Sequence, residues 1–111
     1  MAKIGTVTFT GQSGTKYEFA AYPWGTAFKD DYAAVYFVTE RYKEAKGGFS
    51  HRHIYVGETE ELGIRFENHH KAECFEEESA NCICVYGEDD EDERLAIEQD
   101  LLAKYDPPCN D

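Results

Sequence analysis

The chain has 111 residues, 41% of them hydrophobic and 14% aromatic, which predicts one small folded unit and argues against a disordered chain. No apolar run approaches the roughly 18 residues of a membrane span, and the N-terminus lacks a signal-peptide core, so we expect a soluble, cytoplasmic protein with no membrane partner. The formal net charge of −12 opposes binding to nucleic acid.

The first half of the chain predicts four strands. Residues 4–10 and 16–21 are β-rich runs on either side of a glycine-containing turn. Residues 33–39 form an apolar run of strand length, which is typical of a central strand. A polar connection over residues 41–49 then leads to the fourth strand at residues 51–57.

The fourth strand contains two histidines. Strict alternation places His51, His53 and Tyr55 on one face of the strand. Histidines in strands more often face solvent than bind a ligand. Beside Tyr55, however, they become candidates for phosphate contact or for a second metal, and we take His53 as a candidate substrate-binding residue.

The second half of the chain predicts two helices around one strand. Thr59 caps a helix in which apolar residues recur at helical spacing, with His69 on the same face. Residues 81–86 form a strand, and the acids at 88–93 open a second helix that ends before Pro107-Pro108. The order of elements predicts an α+β fold.

The acidic excess lies in one segment of the chain. Residues 1–72 contain nine acids and nine bases, whereas residues 73–93 contain ten acids and no Lys or Arg. The simplest interpretation is a solvated loop followed by a helix N-terminus, where acids interact favourably with the helix dipole. The alternative is an acidic surface for a protein partner. Because residues 1–72 are neutral overall, DNA remains a possible partner there.

Glu98 stands out on the last helix. Leu95, Leu102 and Tyr105 share its face at the 3.6-residue period. An isolated carboxylate on an apolar stripe is costly unless it is paired, hydrogen-bonded or bound to a metal. Glu98 is therefore either a residue at the edge of the stripe that reaches water or a base, or a metal ligand.

The chain contains four cysteines, Cys74, Cys82, Cys84 and Cys109. Their spacing does not match that of zinc modules, and we expect reduced thiols because nothing indicates secretion. Cys82 and Cys84 share a strand face with Tyr86, which favours packing in the core. A zinc site built from all four cysteines, or from some of them with His69 or His70, is the alternative.

Several of these residues occur in the order of a known family. The elements are Ala34-Val35-Tyr36, Tyr55-Val56-Gly57, Leu62-x-x-Arg65-x-x-x-His69, Glu98 and Pro107-Pro108-Cys109-Asn110. Together they resemble the GIY-YIG nuclease superfamily over about residues 32–111. The resemblance implies a domain at residues 31–111 with a small central antiparallel three-stranded sheet flanked by helices. It leaves residues 1–30 as an N-terminal β-hairpin extension.

The resemblance also implies metal-dependent hydrolysis of DNA phosphodiester bonds. By the family pattern, Glu98 would hold a divalent cation, usually Mg²⁺, and Tyr36 and Tyr55 would line the cleft, one of them assisting deprotonation of the attacking water. Arg65 would stabilise the phosphate in the transition state. His69 would assist proton transfer or hold a tyrosine.

Asn110 matches the family's terminal asparagine and would support the substrate-binding site. The chain departs from the pattern where Ala34 replaces the first glycine, and where Glu58 follows the second tripeptide although many members have lysine there. A carboxylate at that position would repel a phosphate. The alternative function is a catalytically weak or inactive binding protein with the same fold. The position of Glu58 and of the acids at 88–93 relative to Arg65 distinguishes the two.

Overall fold

The computed structural model describes residues 3–110 and contains one antiparallel sheet with the strand order β1-β2-β5-β3-β4. The strands are β1 (Gly5–Thr10), β2 (Lys16–Pro23), β3 (Ala34–Lys43), β4 (Phe49–Thr59) and β5 (Cys82–Gly87). The helices are α1 (Leu62–Glu67), α2 (Ala72–Glu77) and α3 (Glu91–Lys104), followed by a 3₁₀ turn at Pro108–Asn110. Within residues 3–110, no helix is both long enough and apolar enough to cross a membrane.

The fold is α+β, but the expected three-stranded sheet is wrong. β2 pairs with β5 in antiparallel register, with Ala21 opposite Cys84, so the N-terminal hairpin continues the sheet to five strands. Phe9 and Phe19 of the hairpin are buried in one cluster with Phe37 of β3. The physical reason is that β5 would otherwise be an edge strand with unpaired backbone N–H and C=O groups, and the hairpin satisfies them.

The connection predicted as a polar loop over residues 41–49 is the tip of a long hairpin. β3 continues to Lys43, β4 begins at Phe49, and the backbone N–H of Glu44 donates to the carbonyl of Gly48 at the turn. Polar side chains suit this stretch because the tip is exposed on both faces of the hairpin. Polarity in this segment therefore reflects exposure and not the absence of a strand.

A β-bulge in this hairpin changes which side chains share a face. Val38 pairs with Tyr55 and Thr39 pairs with His53, so Ile54 is the extra residue. The expected alternation of His51, His53 and Tyr55 onto one face is therefore wrong, because an inserted residue reverses the facing of everything before it.

The two faces of the sheet are covered by different helices. On one face, Ile97 and Leu101 of α3 pack in a cluster with Phe37. On the other face, Leu62 of α1 and Phe75 of α2 pack in a second cluster with Tyr36, Val38 and Tyr55. Each fully buried side chain of this size contributes about 1.5–3 kcal/mol, so both clusters matter for stability.

The predicted single helix after Thr59 is wrong. α1 ends at Glu67, where Asn68 leaves the helical region with φ −153° and ψ 72°, and the chain turns before α2 begins. His69 lies in this turn and is nonetheless buried. Arg65 and His69 are therefore brought together by a bend and not by helical spacing.

The cysteines divide into two pairs. Cys74 of α2 and Cys109 of the 3₁₀ turn form a disulfide with a Cα–Cα distance of 5.9 Å, so the expectation of reduced thiols is wrong for this pair. The tertiary fold brings two residues separated by 35 positions within bonding distance. The two free thiols, Cys82 and Cys84, are buried in the core as predicted. A zinc site built from all four cysteines is excluded by this pairing.

Candidate active site

Four of the predicted site residues lie together beside the pairing of β3 with β4, and a fifth, on α3, interacts with them electrostatically. The residues are Tyr36 of β3, Tyr55 of β4, Arg65 of α1, His69 of the turn before α2 and Glu98 of α3. The rings of Tyr36 and Tyr55 have centroids 6.0 Å apart. Tyr36 is fully buried, whereas Tyr55 is 9% exposed and is the phenol nearer to solvent.

Gly57 allows the two tyrosines to pack this closely. Gly57 pairs with Tyr36 across the β3–β4 ladder. A Cβ atom at this position would lie 2.6 Å from the Tyr36 hydroxyl oxygen and 2.8 Å from Cε2 of Tyr55. Real Cβ atoms do not approach other heavy atoms so closely, and any larger residue would displace both rings. The glycine is thus required by space and not by backbone conformation.

His69 holds Tyr36 through a defined pair of hydrogen bonds. The backbone N–H of Lys71 donates to Nδ1 of His69 at 3.0 Å. In the neutral ring the proton must therefore sit on Nε2, which donates to the Tyr36 hydroxyl at 2.7 Å. The pKa of His69 is lowered to about 4, first by burial and then by the charges of His70, Arg65 and Lys71. The ring is neutral at physiological pH.

Both phenols are held in their protonated form. The pKa of Tyr36 is raised strongly, chiefly by burial and then by Tyr55, while Arg65 opposes the rise. The pKa of Tyr55 is raised by burial and then by the charge of Glu98, and Arg65 again opposes it. Arg65 is the positive charge that both tyrosines share. Among residues 3–110 Arg65 forms no salt bridge, and its side chain interacts with the hydroxyl of Tyr36.

Glu98 lies beside the buried face of α3. The buried residues of that face are Arg94, Ile97 and Leu101, whereas Leu95 is 41% exposed, so the predicted apolar stripe through Leu95 is wrong. Glu98 is half-buried at its edge. Burial raises the pKa of Glu98, the charge of Glu58 raises it further, and Arg65 lowers it. In the part of the chain that the structure describes, Glu98 has no ion-pair partner, which suits a cation ligand.

The sequence does not reveal the importance of Arg94. Its side chain is 2% exposed, and its Nε donates to Oε1 of Glu58 at 2.9 Å. Its Nη1 donates to the backbone carbonyls of Glu88 and Asp89 at 3.1 and 2.9 Å. The only available signal was a single base directly after six acids, which is equally typical of a solvated helix start. Arg94 therefore partly neutralises Glu58, the carboxylate that follows Gly57.

Glu58, and Glu91 among the acids at 88–93, lie beside Arg65. Arg65 and Arg94 line a cleft of about 240 Å³ together with Thr59 and four carboxylates, those of Glu58, Glu60, Glu61 and Glu91. Two guanidinium groups thus face four carboxylates. A phosphate entering this cleft alone would meet net repulsion.

Asn110 supports the site from the edge of the sheet. The backbone N–H of Val56 donates to its Oδ1 at 2.9 Å, and its Nδ2 donates to the Val56 carbonyl at 2.8 Å. The amide thus covers the outer edge of β4 next to Tyr55 and satisfies backbone groups that would otherwise be unpaired.

His53 lies away from this cluster. The bulge turns it to the opposite face of the sheet, where its ring centroid lies 4.4 Å from that of Tyr105 and 5.2 Å from that of Phe37. Burial and then the nearby His51 lower the pKa of His53.

Comparisons with known proteins do not add to this picture. Neither a protein-family model, nor a curated protein, nor a solved structure matched the chain. A function must therefore be inferred from the arrangement of the site residues.

Proposed function

We propose that this chain is a divalent-metal-dependent nuclease of the GIY-YIG type, acting on DNA phosphodiester bonds. The observation that supports the proposal is that Tyr36, Tyr55, Arg65 and His69 come from separate elements and form one cluster, with which Glu98 interacts electrostatically. These residues are distant in sequence, and residues chosen by a chance motif would be scattered over the fold.

Glu98 is the residue that would hold the cation. It is a half-buried carboxylate without an ion pair among the residues described, and its oxygen atoms are the hard ligands that Mg²⁺ prefers. When bound, Mg²⁺ would offset the negative charge of the phosphate and favour ionisation of a water molecule. A cation there would also cancel the carboxylate charge that raises the pKa of Tyr55.

The other residues of the cluster would position the reactants. Arg65 donates hydrogen bonds to the phosphate oxygens and stabilises the charge that develops on them. Tyr55, the more accessible phenol, contacts the attacking water. Tyr36 is fully buried and is held by His69, so we assign this pair the role of positioning Tyr55 and Arg65 and not that of contacting DNA.

Substitution of Glu98 tests the assignment. Glu98→Gln retains the size of the side chain but removes its charge, and we expect Mg²⁺-dependent nicking of plasmid or branched DNA to fall at least about 100-fold. Glu93→Gln, an exposed position on the same helix, is the matched control and should cleave normally. Cleavage by Glu98→Gln at the wild-type rate would contradict the role of Glu98.

A second candidate is a binding protein without catalysis. It is favoured by one observation, the four carboxylates that share the cleft with Arg65. Fluorescence anisotropy with labelled branched DNA at low salt separates the candidates. If the chain is a nuclease, it should bind the DNA in the presence of Mg²⁺ or Ca²⁺, and EDTA should abolish this binding. Absence of binding with either cation, together with a protein partner that is lost when Glu76 and Glu77 are changed to Lys, would favour the binding protein.

A further inference from the structure

A second group of metal-binding side chains lies on the opposite face of the sheet from Tyr55. His51 of β4 and Cys82 and Cys84 of β5 place Nδ1 and two Sγ atoms within 4.8 Å of one another. Cys84 Sγ lies 4.0 Å from Cys82 Sγ and 4.0 Å from His51 Nδ1. Thr39 of β3, the strand between them, contacts the same group, with its hydroxyl oxygen 2.8 Å from Nδ1 and 3.9 Å from Cys84 Sγ.

These separations are close to those of a tetrahedral zinc site. Zinc bonds of about 2.3 Å to sulfur and about 2.0 Å to nitrogen place two thiolates about 3.8 Å apart, and a thiolate and an imidazole about 3.6 Å apart. The two separations that involve Cys84 are 4.0 Å and exceed these values by a few tenths of an ångström, and the third, between Cys82 Sγ and the His51 ring nitrogen, is within 4.8 Å. Side-chain torsions can close such a gap without movement of the strands.

The fold preorganises this group in three ways. Cys82 and Cys84 are two residues apart on one strand, so both thiols point to the same face. The β-bulge at Ile54 directs His51 to that face and away from Tyr55. The other two cysteines are consumed by the disulfide, so these are the free thiols of the chain.

We propose that His51, Cys82 and Cys84 bind one Zn²⁺ ion, with a water molecule as fourth ligand beside the Thr39 hydroxyl. The ion exchanges for the two thiol protons, which are released to solvent, and no oxidation or reduction takes place. The bound ion ties β4 to β5 across β3. The site is separate from Glu98 and does not depend on the proposed nuclease activity.

Metal content of the purified protein tests the site. Metal-free protein is given one equivalent of Zn²⁺ and desalted, and we expect close to one zinc per chain by elemental analysis. Co²⁺ in place of Zn²⁺ should give the thiolate charge-transfer absorption of a sulfur-bound ion. Cys84→Ser and His51→Ala should each weaken Zn²⁺ binding at least about tenfold.

Matched variants separate this site from the others. Glu98→Gln should retain its zinc, because its carboxylate belongs to the other cluster, and His70→Ala tests for adventitious histidine binding. If Cys84→Ser does not fold, the zinc affinity of His51→Ala tests the proposal instead. The His51 ring is only partly buried, so we expect its removal to be tolerated by the fold. Zn²⁺ should raise the Tm of the wild type, of Glu98→Gln and of His70→Ala, but not that of Cys84→Ser or His51→Ala. Wild-type protein that retains no zinc, or His51→Ala that binds zinc as tightly as the wild type, would overturn the proposal.

Discussion

Gly57 and its two aromatic neighbours are the most constrained group of residues in the candidate active site. The position has no spare volume, because the Tyr36 hydroxyl and the edge of the Tyr55 ring occupy the space that a side chain would need. Both rings are held in place. Tyr36 is hydrogen-bonded to His69, and the ring of Tyr55 packs against that of Phe75 with their centroids 5.4 Å apart. A change at this position must therefore move the rings of both tyrosines.

We expect Gly57→Ala to lower the free energy of unfolding by about 1–3 kcal/mol through overpacking, and to abolish cleavage. Urea denaturation measures the first effect and plasmid nicking the second. Gly5→Ala is the control, because a Cβ atom at Gly5 meets nothing within 4 Å and should be nearly neutral. Gly57→Ala with wild-type stability would show that the rings can move apart.

His69 gives the stability of the protein a defined pH dependence. Its pKa is lowered to about 4, from an ordinary value of 6.5, so between these values the unfolded chain binds a proton that the folded chain does not. Its contribution to stability is therefore complete above pH 6.5 and is lost progressively as the pH falls toward 4.

His69→Gln retains an N–H donor for Tyr36 but does not titrate. Between about pH 7.5 and about pH 5, we expect the wild type to lose about 1–2 kcal/mol more unfolding free energy than the variant loses. Urea denaturation at the two pH values gives the comparison. The same loss in both proteins would assign the pH dependence to other groups, such as His53.

At the level of elements, the C-terminal turn holds the edge of the site. Asn110 hydrogen-bonds both backbone groups of Val56, and Cys109 beside it is bonded to Cys74 of α2. The turn thus joins α2 to β4 next to Tyr55. Losing the covalent link should loosen the elements that carry His69 and Tyr55.

We expect the double variant Cys74→Ser with Cys109→Ser to lose about 2–4 kcal/mol of unfolding free energy, because the unfolded chain is no longer cross-linked. Treatment of the wild type with dithiothreitol should produce a similar loss. The double variant serves as its own control, since the reductant should leave its stability unchanged. A wild type that is insensitive to the reductant would contradict a stabilising disulfide.

At the level of the whole molecule, charge is unevenly distributed. The net charge is −12, ten acids lie in residues 73–93, and Glu91 of that segment shares the cleft with Arg65. The exposed ion pairs of Arg52 with Glu40 and Glu78 are worth less than about 1 kcal/mol each. We therefore expect repulsion among the acids to outweigh the attraction within these exposed pairs.

We expect the free energy of unfolding to rise by about 1 kcal/mol when NaCl is increased from about 0.05 to about 0.5 M, because salt screens this repulsion. At constant ionic strength, millimolar Mg²⁺ should stabilise the wild type further and leave Glu98→Gln unchanged. A fall in stability with salt would show that ion pairs dominate. Equal responses to Mg²⁺ would show screening without a specific site.

Much of the fold follows from local patterns in the sequence. Apolar runs of strand length predict five strands, and the strands occur close to the expected positions. Turn residues predict the break between β1 and β2, and Pro107-Pro108 predicts the end of α3, but the cap predicted at Thr59 is wrong, because Glu61 precedes α1 and makes no side-chain cap hydrogen bond. The residues of the candidate site were also named from the sequence, Glu98 first through helical periodicity and the full set through a family resemblance.

The tertiary structure decided the remainder, because each of those features depends on distant residues. The sheet has five strands because β2 of the N-terminal hairpin pairs with the otherwise unpaired edge of β5. No local sequence pattern indicates which strands pair with each other. His53 lies outside the candidate site because the β-bulge at Ile54 turns the side chains that precede it to the opposite face of the sheet. The sequence by itself determined the elements and the chemistry available, whereas long-range pairing and packing determined which of those groups act together.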